Sequence, residues 1–387
     1  MIQPKLSSRA TYYQTLTERA TGSPWRMGNS FELLQNGDAI FPAMLDAIRG
    51  ATESIEFLSY VFWRSDIATD FTRALVERAK AGVKVRVLVD AFGGATMSSR
   101  AIWQLERAGV LVGWYHPGRW QYLWLLNNRT HRKLLIVDGR IGFTGGVGIA
   151  EAWTGNGQDR DHFRETQCRI EGPAVVDLHA GFADNWPDSS ASRLSHPRPA
   201  AEAGSVAVHT TISRASVRPS EAQRLFREVF ASTQSRLWIT SAYFVPSQAI
   251  QSDLRAAARR GVDVRVLTNG ATSNHRFTTM AGRASYQSLL NAGVKIYEYK
   301  TTMHHAKVIT ADGVWGTIGS VNIDARSLVL NDELNVSVLD ERVVGAMDHQ
   351  FLADLEQSAQ IKASAWRTRG RMQRLAESGV SIFAGQL

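Results

Sequence analysis

Two stretches of this chain are written to one plan. Ala74–Asp90 reads ALVERAKAGVKVRVLVD and Asp253–Asn269 reads DLRAAARRGVDVRVLTN. Each is an Ala/Arg-rich helical run closed by a glycine, Gly82 or Gly261, and followed by a V-x-V-R-V-L strand. Glycine suits the left-handed conformation that ends a helix, and a β-branched run suits a buried parallel strand. The match extends upstream, where SIEFLSYVF (Ser54–Phe62) corresponds to SRLWITSAYF (Ser235–Phe244). It extends downstream too, where LERAGVLVGWY (Leu105–Tyr115) corresponds to LLNAGVKIYEY (Leu289–Tyr299). Strand, helix, strand, helix, strand in the same order twice predicts two similar α/β halves. Each is expected to be a mainly parallel sheet flanked by helices, the two related by a pseudo-twofold axis.

At 387 residues the chain suits two domains of ordinary size. The expected division is a first half over 29–190, a second over 206–362 and a helical tail over 363–387. Pro187–Ser205, rich in Pro, Ser and Ala, reads as the linker. Met1–Gly28 shows no clear pattern and is expected to hold a short helix with a flexible lead. The segment from Glu341 onward looks helical, with Phe351, Leu352, Leu355 and Ile361 on its inner face.

Each half then supplies H-x-K-x-x-x-x-D: His131, Lys133 and Asp138 in the first, His305, Lys307 and Asp312 in the second. A small-residue turn follows each, Gly145-Gly146-Val147-Gly148 and Gly319-Ser320-Val321-Asn322. Residues two apart on a strand share a face, so each histidine is expected to project beside its lysine. Asp138-Gly139 and Asp312-Gly313 sit between apolar runs, a hairpin signal, and the aspartates read as turn residues. A lysine can hold phosphate oxygens, and a histidine can attack phosphorus or move protons near neutral pH. A duplicated fold would bring the two copies face to face, one histidine on each side of a phosphorus, as two in-line displacements require. One His-x-Lys is weak evidence; two, equally spaced inside a repeat, are specific.

With these residues the sequence resembles the phospholipase D superfamily, and within it the bacterial cardiolipin synthases, from about Phe31 to Ile361. The resemblance also rests on Phe163-Arg164-Glu165-Thr166, Arg169–Val175, Tyr243-Phe244-Val245-Pro246, Asn322–Ser327 and Asn331–Asn335. It implies His131 as the nucleophile and His305 as the proton donor and acceptor. It implies Lys133, Lys307 and Asn322 as phosphate ligands, with Ser320 and Gly146 in the adjoining turns. Glu165 and Glu333 would each hold a histidine's second nitrogen, and no metal or other cofactor is implied. The chain departs from the family pattern in having Gly148 where asparagine is usual and Glu165 where aspartate is commoner. Backbone N–H groups of the Gly145–Gly148 turn could offset the missing amide.

The formal net charge of +8 favours an anionic partner, phosphate backbone or acidic lipid. With Cys168 as the only cysteine, no internal disulfide is possible. His162 and Cys168 near Glu165 make a poor metal set. No apolar stretch reaches membrane-spanning length, so the expectation is a protein on the cytoplasmic face of the membrane, peripherally attached, or otherwise cytoplasmic. The substrate implied is phosphatidylglycerol or another anionic phospholipid, with no nucleic acid expected. Trp114, Tyr115, Trp120, Tyr122 and Trp124 read equally well as a lipid-facing lip or as core. His304 reads as a spectator. Alternatives to cardiolipin synthesis are a phospholipase D-type hydrolase, a nucleic-acid phosphodiesterase, and a non-catalytic binder of anionic lipid suggested by Gly148.

Overall fold

The computed structural model describes residues 7–116, 128–187, 199–216 and 218–370. Its first seven strands are β1 (Trp25–Gln35), β2 (Ser54–Ser59), β3 (Lys84–Asp90), β4 (Leu111–Tyr115), β5 (Leu134–Val137), β6 (Ile141–Gly145) and β7 (Thr166–Glu171). The next seven repeat that series: β8 (Val206–Ser213), β9 (Arg236–Thr240), β10 (Asp263–Asn269), β11 (Lys295–Tyr299), β12 (Val308–Ala311), β13 (Trp315–Gly319) and β14 (Glu333–Val338). A short β15 (Ser358–Gln360) lies on the edge beside β11.

All join one sheet, in the order β15-β11-β10-β9-β12-β13-β14-β8-β1-β7-β6-β5-β2-β3-β4. Apart from β15 the order reads the same from either end once each strand is exchanged for its repeat. The antiparallel β1–β8 pair, with Arg26 opposite Val208, stands at the centre. The duplicated α/β architecture is as expected, but the sheet is mixed rather than mainly parallel. Only β2–β3–β4 and β9–β10–β11 run parallel. The cause is local: Asp138 and Asp312 turn the chain back at once with φ of 53°, so β5–β6 and β12–β13 are hairpins.

Helices cover both faces. On one, each half has its own core, with Phe41, Phe57 and Phe71 in the first and Phe226, Phe230 and Trp315 in the second. On the other, Val175–Asn185 of the first half and Glu341–Glu356 of the second enclose a common core. There Leu178 and Phe182 join the same cluster as Val336, Val343 and Met347. The early segment forms a regular helix, Ser8–Thr21, capped by Ser7 and by Gly22 at φ 75°. It packs on the second half, with Tyr13 stacked on Trp315. Of the inner face expected after Glu341, Phe351 is buried while Leu352 is exposed. One residue further along a helix is a rotation of about 100°, enough to leave the core.

Candidate active site

His131 and Lys133 lie in the extended segment just before β5, and His305 and Lys307 occupy the equivalent place before β12. They sit one step ahead of the predicted strands because here each segment pairs with the opposite half instead of with its own sheet. Thr130 forms a parallel bridge to Asp332, and His131 N donates to Asp332 O at 2.8 Å. In the mirror arrangement Arg164 bridges His304, and His305 N donates to Arg164 O at 2.7 Å.

These bridges exchange the carboxylates. Glu333, at the start of β14, lies 3.0 Å from His131 Nδ1, and Glu165, next to β7, lies 2.8 Å from His305 Nδ1. Each histidine is held by the glutamate of the other half. With Nδ1–H donated to a carboxylate, the lone pair of each ring is on Nε2. That of His131 has no hydrogen-bond partner among the described residues, and that of His305 faces Lys307 Nζ at 3.2 Å. Both glutamates are fully buried.

Burial, opposed in part by Glu333, lowers the His131 pKa to about 4. Burial and the charge of Lys307 lower that of His305 to about 3. Burial also brings Lys133 to about 7 and Lys307 to about 8. For Glu165 burial acts upward, but the His305 hydrogen bond and the charges of His305 and Lys307 outweigh it and hold the carboxyl at about 2. Lys307 acts on His131, and Lys133 acts on His305, so the two motifs share one electrostatic site. With both lysines protonated their charges offset the Glu165 and Glu333 carboxylates, and both imidazoles are neutral; beside them burial raises the Asp324 carboxyl to about 7. An entering phosphodiester anion favours the charged form of both lysines and raises the proton affinity of the histidines.

Asn322 directs Oδ1 to Tyr243 N at 3.3 Å, and Ser320 Oγ accepts from Leu334 N at 3.0 Å beside Glu333. In the first half Gly146 and Gly148 take their places. Neither glycine has a positive φ. Asp138 and Asp312 lie at the far ends of the hairpins. Asp138 accepts from the backbone N–H groups of Thr52, Glu53 and Ser54, and Asp312 from those of Gln234, Ser235 and Arg236.

Several residues of the site carry no signal of their own in the sequence. Arg132 is fully buried between the motif's histidine and lysine. It donates to the carbonyls of Gly181, Ser213 and Glu333. Arg164 makes a two-armed contact with Asp354, at 3.0 and 2.9 Å. His304 meets the same carboxylate at 2.9 Å, which makes it a buried brace behind the site rather than a spectator at its rim. Trp153 donates from its indole N–H to Glu165 at 3.3 Å. Tyr115 is also structural, donating to Asp332 at 2.9 Å, while Trp120, Tyr122 and Trp124 lie outside the described residues. Among the described residues no cluster of metal-binding side chains occurs.

Comparison with solved structures agrees with the fold. The phosphatidylserine synthase of Haemophilus influenzae aligns over 98% of this chain and 99% of its own, with a TM-score of 0.76 at 11% identity. That is a likeness of fold, the duplicated phospholipase D-like architecture. The family "Cardiolipin synthase, PLD-like domain" matches residues 44–185 and 226–355, once in each half. Cardiolipin synthase 1 of Bacillus anthracis is 31% identical over 99% of this chain and 77% of its own length. The probable cardiolipin synthase YwiE of Bacillus subtilis is 31% identical over 93% and 72%. The chain belongs to the phospholipase D-like cardiolipin synthase family.

Proposed function

We propose that the chain is a phosphatidyltransferase making cardiolipin from two molecules of phosphatidylglycerol through a phosphohistidine. The observation that carries this is the pair of crossed dyads, His131–Glu333 and His305–Glu165, sharing one site with Lys133 and Lys307. Family membership supplies the lipid. In the first step His131 Nε2 attacks phosphorus, the bond to the glycerol oxygen breaks, and the departing alkoxide takes a proton from His305. In the second, His305 recovers a proton from the hydroxyl of another phosphatidylglycerol, whose oxygen displaces His131. Lys133, Lys307 and the Asn322 amide hold the non-bridging oxygens, and the charge of the bound diester protonates His305 beforehand. Glu333 and Glu165 keep each ring in the tautomer with Nε2 toward phosphorus.

The working surface is a membrane's cytoplasmic face, reached peripherally. Among the described residues no helix is long and apolar enough to cross a membrane. Phe92 and Phe277 are both 70% exposed. Phe92 follows Asp90, whose carboxylate also takes Thr130 N, the residue before His131. Phe277 stands three residues from Asn274, which accepts from the hydroxyl of Tyr243 beside His305. Exposed Arg276 adjoins Phe277, and exposed Arg100 stands at the start of the helix that follows the Phe92 loop. Aromatic rings with nearby cations suit an anionic lipid interface.

The test incubates the pure chain with phosphatidylglycerol vesicles and a chelator and reads products by mass spectrometry. Cardiolipin with one glycerol released is expected, and acid quenching should leave phosphate on His131. Phosphatidic acid alone would move the assignment to a hydrolase. Cleavage of single-stranded DNA with no lipid product would move it to a nuclease, and no turnover at all to a lipid binder.

A further inference from the structure

The second half places Ser320 and Asn322 beside its site, and the first half has Gly146 and Gly148 instead. Packing enforces both glycines. A Cβ on Gly146 would lie 2.6 Å from Glu165 Oε2. One on Gly148 would lie 2.9 Å from Val61 Cβ and 3.0 Å from the ring of Trp153. The volume that an asparagine would need is thus filled by an indole.

That indole is placed to act. Trp153 ends the short turn Glu151–Trp153 and is buried, only 4% exposed. Its N–H points at Glu165 Oε2, the oxygen that also meets His305 Nδ1 at 2.8 Å. Its ring stands edge-on to the His305 ring, with centroids 5.3 Å apart and planes at 88°. Phe163 closes the other side at 5.0 Å from Trp153. The remaining carboxylate oxygen of Glu165 accepts from Thr166 N at 2.9 Å. Glu165 is therefore gripped from the backbone side by Thr166 and from the site side by an indole, with His305 between.

We infer that Trp153 is the positioning residue of the His305–Glu165 pair. Its indole N–H is the second side-chain donor to the Glu165 oxygen that holds His305, and its ring sets the plane in which His305 moves its proton. Gly148 is the opening that admits the ring. A motif position that looks lost in the first half has been exchanged for a tryptophan five residues downstream. The role rests on His305 acting as proton donor and acceptor, as proposed above.

Trp153→Phe keeps the ring volume and removes only the N–H. The variant should melt within a few degrees of the parent and lose about tenfold in kcat or more, the scale of one hydrogen bond to a charged group. KM should change less than about twofold, since the indole N–H is spent on Glu165. The limb of the pH–rate profile governed by His305 should move upward, because Glu165 relieved of a donor holds the His305 proton more tightly. In a Glu165→Gln background, Trp153→Phe should cost nothing further. Gly148→Ala, which pushes the ring aside without removing the N–H, should shift the profile the same way. All rates are read both on phosphatidylglycerol vesicles and on bis(4-nitrophenyl) phosphate, a chromogenic diester that needs no lipid. Turnover of the diester without cardiolipin would sink the lipid assignment and leave this one intact. Parental kcat and pH profile for Trp153→Phe, or an undiminished loss in the Glu165→Gln background, would overturn it.

Discussion

His131 and Glu333 are separated by 202 positions in the chain and meet at 3.0 Å in the fold, each supplied by a different half. The partner contact, His305 with Glu165 at 2.8 Å, crosses in the opposite direction. A histidine whose orienting carboxylate belongs to the other half cannot be positioned until the halves have joined. Neither half is then an active site alone.

This crossing predicts how the glutamates behave when neutralised. Glu333→Gln should slow formation of the His131 phosphohistidine, because the ring loses its preference for the reactive tautomer. Glu165→Gln should let the intermediate form poorly and persist, since His305 fails in both proton transfers. Losses of about 100-fold or more in kcat are expected for each. Rapid acid quench with phosphohistidine detection separates them. Equal intermediate levels in both variants would contradict the division of labour.

The site should take up a proton with its anion. Both histidines are lowered well below neutrality, while Lys133 falls to about 7 and Lys307 to about 8. As pH rises through 7 and 8 the free site sheds lysine protons that the bound anion would retain. Affinity for dimethyl phosphate, whose charge is constant in this range, should weaken with rising pH, by up to about tenfold per unit for each proton linked. Calorimetry in two buffers of different ionisation enthalpy measures that uptake directly. No net uptake between these pH values would refute the charge balance.

Asp138 should matter to stability rather than to chemistry. Its carboxylate accepts from three backbone N–H groups at the entry to β2 and is held below its ordinary pKa by them, against the opposing effect of burial. A depressed folded pKa contributes stability above the unfolded value near 3.8, lost as pH falls through the folded value. Asp138→Ala should cost roughly 1–3 kcal/mol at neutral pH, the range for orphaned partners of a charged acceptor. Activity per folded molecule should stay close to the parent's. Denaturant melts paired with rates at low temperature test both parts.

Asp354 should prove more sensitive than its distance from phosphorus suggests. It takes both arms of Arg164 and the Nε2 of His304, and those two residues form the bridge that carries Glu165 and His305. Asp354→Ala strands a buried guanidinium, a change of about 3–5 kcal/mol. A large fall in melting temperature is expected, with kcat reduced even in the folded fraction. An unchanged melting temperature would mean that the brace is slack.

The exposed Phe92 and Phe277 should govern surface binding alone. Phe92→Ser with Phe277→Ser should weaken sedimentation with phosphatidylglycerol vesicles by roughly 30-fold or more, at about 1–2 kcal/mol per lost ring on transfer scales. Turnover of bis(4-nitrophenyl) phosphate should stay at the parental rate. Unaltered vesicle binding would show that docking lies elsewhere.

The repeat in the sequence was enough to reach the duplicated α/β halves, because strand and helix periodicity are local and appear twice. The paired His-x-Lys spacing is legible for the same reason: both residues lie on one extended segment, within three positions. The mixed sheet was legible only in part. Asp-Gly marks a reversal at 138–139 and 312–313, but which strands then become neighbours depends on long-range pairing. What tertiary structure alone decided is the exchange of Glu165 and Glu333 between halves, the Arg164–Asp354–His304 brace, and Trp153 filling the space over Gly148. Each is a contact between side chains whose separation along the chain carries no pattern. The crossed dyads follow from a two-fold closure of one sheet, and that closure is a property of packed surfaces rather than of any short run of residues.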